Sequence, residues 1–152
     1  FPVAGWAADA GEARIRETSP PRDALVVVEG AATAAEETSV EVALELWNDA
    51  AGLSLRRASA PDRDAIPLRF EAAAPLFLGL YDDARGIVYV NAELNDDRTR
   101  TLTVAHELGH AFGLPHVAPA ERPSLMNPGN RTVAPTPEDV AALHDFWGPC
   151  GP

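Results

Sequence analysis

His106-Glu107-Leu108-Gly109-His110-Ala111-Phe112-Gly113-Leu114-Pro115-His116 spells H-E-x-x-H-x-x-G-x-x-H, and the rest of the chain reads as its scaffold. His106 and His110 are four residues apart, so on a helix they stand one above the other and aim two imidazoles at one ion. Glu107 lies about 100° round the helix, off the ligand face but placed to act on a water held at the ion. Gly113 is expected to end the helix, because a residue without Cβ takes the left-handed conformation that turns the chain back. Three residues later, His116 can approach the ion from outside the helix. Three neutral nitrogens with a fourth position open form the donor set of a catalytic zinc rather than a structural one.

The opposite face of the helix agrees. At about 100° per residue from His106, the side chains of Val104, Leu108, Ala111 and Phe112 gather away from the histidines, so one side packs while the other faces the metal. Were these ordinary helix histidines, chance would have to place three of the chain's four histidines and a glycine at this spacing. The single methionine, Met126, follows ten residues after His116 in the turn-forming run Ser124-Leu125-Met126-Asn127-Pro128-Gly129. Alone, a methionine near a turn is plain packing. After this motif the sequence resembles the metzincin metalloproteases, whose extended zinc motif is followed by a methionine-containing turn beneath the metal.

Composition bounds the remaining possibilities. The chain has 152 residues, enough for one domain with its own core, and is 46% hydrophobic and 23% charged. No apolar run approaches the roughly 18 residues of a membrane span, so no membrane insertion is expected. Net charge is −11 and all twelve basic residues are arginine, which argues against nucleic acid or an anionic membrane as partner. The one cysteine, Cys150, has no internal partner and is read as a free thiol, an intermolecular link or half of a bridge to another piece. Residues 1–10 are apolar but lack a basic lead-in, so they do not read as an intact signal peptide.

Taken in order, residues 1–22 form an arm without clear periodicity. The run Asp23 to Glu29, with Ala24-Leu25-Val26-Val27-Val28, fits a buried strand. Thr33 with Glu36, or Thr38 with Glu41, opens a helix whose stripe is Val40, Ala43, Leu44 and Trp47, running up to Gly52. Trp47 in that stripe reads as core. Further strands are expected over Leu53 to Ala58, Ile66 to Phe70, Leu76 to Tyr81 and Ile87 to Asn91. The zinc-motif helix begins near Asp97 to Thr99 and packs on the same face. A last helix starts at Pro137 and stops at Gly148, with Val140, Leu143 and Trp147 as its apolar stripe. His144 is read as a surface or packing residue.

This is an α+β pattern: a five-stranded mixed twisted sheet, two packed helices, a methionine turn and a C-terminal helix. The resemblance makes it a metzincin-type catalytic domain over 1–152, with an upper subdomain at 23–113 and a lower one at 114–152. The last helix, with its acidic opening and aromatic-glycine end, resembles the matrixin branch. Val117 departs from the serine usual there, and the connection Glu71 to Pro75 is too short for that branch's structural metal loop. The snapalysin-like branch is second choice, since it carries aspartate where this chain has His116.

The resemblance implies a secreted, monomeric zinc endopeptidase in which a metal-activated water cleaves the peptide bond and Glu107 is the general base. It also implies that the strand before the last forms the sheet edge, so that Phe77, Leu78, Gly79 and Leu80 pair with an extended protein or peptide substrate. Asn127 to Pro135 should wall the adjoining pocket. Asp82, Asp83, Asp96 and Asp97 are oxygen donors suited to calcium rather than zinc. One zinc is expected, with any further metal being weakly held calcium. The alternative is a zinc-bearing binding module of the same fold with weak catalysis, against which an intact Glu107 argues.

Overall fold

The computed structural model describes residues 21–148. All but the last two residues of the N-terminal arm, and Cys150, lie outside that range. The elements are β1 (Leu25–Val28), α1 (Ala34–Ala51), β2 (Arg56–Arg57), β3 (Ile66–Glu71), β4 (Gly79–Asp82), β5 (Ile87–Asn91), α2 (Asp97–Ala111) and α3 (Pro137–Trp147). The strands form one sheet in the order β2-β1-β3-β5-β4. Three pairings are parallel and β4 runs antiparallel to β5, which makes β4 an edge.

Local chemistry accounts for the helix ends. Thr33 caps α1, accepting from the Glu36 amide while the Glu36 carboxylate accepts from the Thr33 amide at 2.8 Å, and Thr38 falls inside the helix. Gly52 closes α1 at φ 67°, in the left-handed region. Asp96 caps α2 by accepting from the Thr99 amide at 2.8 Å. These hydrogen bonds from Thr99, outweighing slight desolvation, hold the Asp96 carboxyl below its ordinary range.

One core joins the sheet to both long helices: Val26, Leu68, Val88 and Val90 meet Val40, Leu44 and Trp47 of α1 and Leu102, Val104 and Leu108 of α2. Burying an aliphatic side chain of this size contributes about 1.5–3 kcal/mol. The indole N–H of Trp47 donates to the Ala105 carbonyl at 2.9 Å, and its ring meets Phe112 edge-on at 5.8 Å, so the core reading of Trp47 holds. Arg100 is buried between the helices, where it reaches Ser39, Asp97 and the Leu94 carbonyl. Strand alternation sends Leu80 and Tyr89 to the other sheet face, where Ala73, Phe77 and Ile87 cover them.

Three strands are shorter than the sequence predicts, the first being Leu25–Val28 within the run expected from Asp23 to Glu29. Over Leu53 to Ala58 only Arg56–Arg57 is strand, because that stretch aligns with just the start of β1. The run expected from Leu76 becomes strand only at Gly79. The cause is Asn91, whose side-chain amide donates to the carbonyls of Ala73, Ala74 and Phe77 and folds residues 73–77 into a turn. No helix among the described residues is long and apolar enough to cross a membrane.

Candidate metal centre

Helix α2 is buried along nearly its whole length, from Thr99 to Ala111. Its apolar side fills the core, so burial of its polar side needs specific partners. His106 Nδ1 lies 2.7 Å from the Leu125 carbonyl, and His110 Nδ1 lies 2.8 Å from the Leu114 carbonyl. A carbonyl only accepts, so each Nδ1 carries the hydrogen and each Nε2 keeps its lone pair for an ion.

The third histidine arrives as the spacing requires. After the helix, Gly113 at φ 99° turns the chain, with its amide on the His110 carbonyl and the Leu114 amide on the Gly109 carbonyl. That same turn carries the Leu114 carbonyl to His110. The Val117 amide then donates to the Met126 carbonyl at 3.0 Å, which lays His116 beside the methionine turn. His106 Nε2 and His116 Nε2 stand 3.2 Å apart, and the ligand atoms of all three histidines lie within 4.8 Å of one another. Zinc–nitrogen bonds of about 2.0–2.1 Å at tetrahedral angles separate two ligand nitrogens by roughly 3.3 Å, so the His106–His116 pair stands at a zinc-ligand spacing and the three histidines together could hold a metal ion.

Glu107 is 1% exposed and turns to the sheet edge. A methyl group built on Gly79 would stand 3.0 Å from Glu107 Cγ, 2.8 Å from Thr103 Cγ2 and 2.9 Å from the Tyr89 carbonyl oxygen. Gly79 is therefore glycine because β4 passes over Glu107 too closely for a side chain. The register sharpens the edge expectation. The Asn91 amide donates to the Leu78 carbonyl, and Leu80 lies opposite Tyr89, so Leu78 and Leu80 direct their peptide groups inward to β5. Gly79, at the alternate position, directs its own outward. Phe77 is held in the loop, its amide on the Ala74 carbonyl and its carbonyl on Asn91.

Beneath the histidines, Met126 is fully buried against Gly109, where an added Cβ would lie 2.5 Å from its sulfur. The turn is built by its own polar residues. Asn127 Oδ1 accepts from the Ser124 amide, and its Nδ2 donates to the carbonyls of Val117 and Arg122.

The C-terminal helix completes the floor. Thr136 and Asp139 cap α3 reciprocally, and the buried Asp139 carboxylate also accepts from Ser124 Oγ, the Leu125 amide at 2.9 Å and Arg122 Nη1 at 2.9 Å. Burial disfavours the charged form, yet hydrogen bonds from Ser124, Thr136, Leu125 and Arg122 outweigh it and leave the Asp139 carboxyl below its ordinary range. From the letters, Asp139 reads only as favourable charge at a helix start.

Two hollows lie apart from the histidines. An apolar one of about 510 Å³ runs between α1 and α2 past Val42, Leu46 and Leu102. Another, of about 570 Å³, lies at the start of α2 among Pro75, Asn91, Thr99 and Arg131, and Arg131 is its one contribution from the expected Asn127 to Pro135 wall. Neither holds the group of metal-ligating side chains found among the described residues, which is His106, His110 and His116.

No protein-family model matches the sequence, and no curated protein matches it. Among solved structures the chain is similar to one titled "Crystal structure of myroilysin", with a TM-score of 0.59 at 14% identity over 97% of this chain and 96% of that one. At 14% identity that likeness shows the fold alone, an α+β arrangement with a five-stranded mixed sheet as the sequence pattern predicts, and it distinguishes no family or branch.

Proposed function

We propose that the chain is a zinc-dependent endopeptidase. The observation that carries this reading is the convergence of His106, His110 and His116, two of them with Nδ1 held by backbone carbonyls, beside the buried Glu107 and the sheet edge at Gly79. Zinc, when bound by the three histidines, supplies a Lewis acid that polarises the scissile carbonyl and makes water nucleophilic near neutral pH.

The rest follows from the chain's own residues. Glu107 accepts a proton from the attacking water and returns it to the leaving amine, so no covalent enzyme intermediate forms. The substrate lies extended along β4, because an edge strand offers N–H and C=O groups that a peptide can pair with. Gly79 makes that pairing beside Glu107, and Phe77, Leu78 and Leu80 frame it. A peptide-like inhibitor should therefore slow hydrogen exchange at the Gly79 amide. Unchanged exchange there in a saturated complex places the substrate elsewhere.

Met126 forms the floor of the site. On this reading residues 23–113 make the upper wall of the cleft and, among the described residues, 114–148 the lower. Secretion, a monomeric state and a minimal matrixin-like branch rest on the resemblance of the motif and the last helix. One zinc per chain is the proposed content, with any further metal being weakly held calcium on carboxylates such as Asp96 and Asp97. Exhaustive chelation should abolish peptide hydrolysis and stoichiometric zinc should restore it. Full activity in metal-free protein removes this reading.

A further inference from the structure

The hydrogen bonds beneath His106 form an unbroken chain that starts at a carboxylate on α3. His106 Nδ1–H donates to the Leu125 carbonyl at 2.7 Å. The same peptide unit presents the Met126 N–H on its other side, and this donates to Ser124 Oγ at 2.9 Å. The Ser124 hydroxyl in turn donates to Asp139 Oδ1. Each donor is also an acceptor of the bond before it, and all the bonds point toward the charge. Hydrogen bonds aligned in this way polarise one another, more strongly where water is excluded. Here water is excluded, since Ser124, Leu125, Met126 and Asp139 are each at most 1% exposed. A second strut holds the path in place, the Leu125 amide on Asp139 Oδ2.

We infer that Asp139 and Ser124 are positioning residues of the metal centre, which act on His106 through the Leu125–Met126 peptide. The carboxylate draws on the Ser124 hydroxyl, the hydroxyl on the Met126 N–H, and the peptide carbonyl becomes a stronger acceptor for His106. A more strongly held Nδ1–H makes Nε2 a better donor to the ion and fixes the ring plane. Arg122, paired with Asp139 Oδ1 at 2.9 Å, keeps the carboxylate charged and oriented. The sequence separates the two ends of this path by 33 positions, which is why no local motif discloses it.

The inference rests on the zinc reading of the three histidines, and its test separates the two. Zinc affinity is measured by competition with a chelator of known affinity, and the visible spectrum of the cobalt-substituted protein is recorded for wild type, Ser124→Ala, Asp139→Asn and Thr33→Ala. Thr33→Ala removes a cap of α1 remote from the path and controls for lowered stability alone. Ser124→Ala and Asp139→Asn should bind zinc about ten- to a hundredfold more weakly, the loss usual for such supporting groups, with a shifted cobalt spectrum. Thr33→Ala should match wild type in both. If Asp139→Asn does not fold, Ser124→Ala decides. Wild-type affinity and spectrum in Ser124→Ala, or equal weakening in Thr33→Ala, overturns the inference while leaving the zinc site intact. A wild-type protein that takes up no zinc removes the zinc reading and this inference with it.

Discussion

Gly109→Ala should destabilise this protein, although the same change in the interior of most helices stabilises. Exchanging glycine for alanine in a helix contributes roughly 0.5–1 kcal/mol of stability. Here the new Cβ would lie 2.5 Å from Met126 Sδ, 3.2 Å from Met126 Cε and 3.4 Å from Trp47 Cζ2. Non-bonded heavy atoms prefer about 3.5–4.0 Å, so the sulfur has to retreat by roughly 1 Å. It cannot do so cheaply, because Met126 is 1% exposed and Trp47 is fully enclosed. Overpacking costs about 1–3 kcal/mol, and between two enclosed neighbours the upper part of that range, about 2–3 kcal/mol, applies; less a helical gain of about 1 kcal/mol it leaves a net loss of about 1–2 kcal/mol. For a domain of this size that lowers the melting temperature by about 2–8 °C. Urea unfolding of a double-mutant cycle with Met126→Ala provides the assay. With the methionine truncated the clash disappears, and Gly109→Ala should then stabilise by about 0.5–1 kcal/mol, giving a coupling near 2 kcal/mol. A neutral or stabilising effect in the wild-type background, or the same effect in both backgrounds, refutes the claim that Met126 is wedged beneath the zinc-motif helix.

Gly79→Ala should lower kcat for peptide hydrolysis by about tenfold or more, since the added methyl meets the Tyr89 carbonyl oxygen at 2.9 Å and displaces either β4 or Glu107, and small misplacements of catalytic groups are costly. Unchanged kcat would mean that the strand tolerates the methyl without moving the base. Acid should destabilise the fold through Asp139. Its native carboxyl titrates below the unfolded value, so its contribution is fully present above the ordinary carboxylate pKa and is lost as pH falls through the lowered native value. Stability of wild type should therefore fall with acid more steeply than that of Asp139→Asn, and parallel pH profiles of the two would contradict the assignment.

What the sequence discloses depends on how far apart the cooperating residues lie. The histidine spacing, the glycine that ends α2 and the turn at Met126 are all legible because each is a relation among residues within one or two turns of chain. The cap at Thr33 belongs to the same class. Features that need a partner from a distant segment are not legible. Asn91 looks like the end of a strand, yet its side chain shapes the loop before β4 and sets where that strand begins. In the sequence Gly79 stands out only as one residue of an expected sheet edge and Gly109 only as a position inside the zinc motif, and the packing of β4 over Glu107 and of Met126 under α2 shows why no side chain fits at either. The register that turns Leu78 and Leu80 inward and Gly79 outward depends on the pairing with β5, which alternation alone cannot supply.

The most direct measurement is cleavage of a mixed peptide library by zinc-loaded wild-type protein and by zinc-loaded Glu107→Gln, with the zinc content of both determined. Wild type should cut internal peptide bonds. The variant should retain one zinc per chain and lose activity by at least the factor of about 10²–10⁴ that a general base contributes, because an amide cannot accept the proton. Wild-type turnover in zinc-loaded Glu107→Gln, or no cleavage by zinc-loaded wild type, contradicts the account.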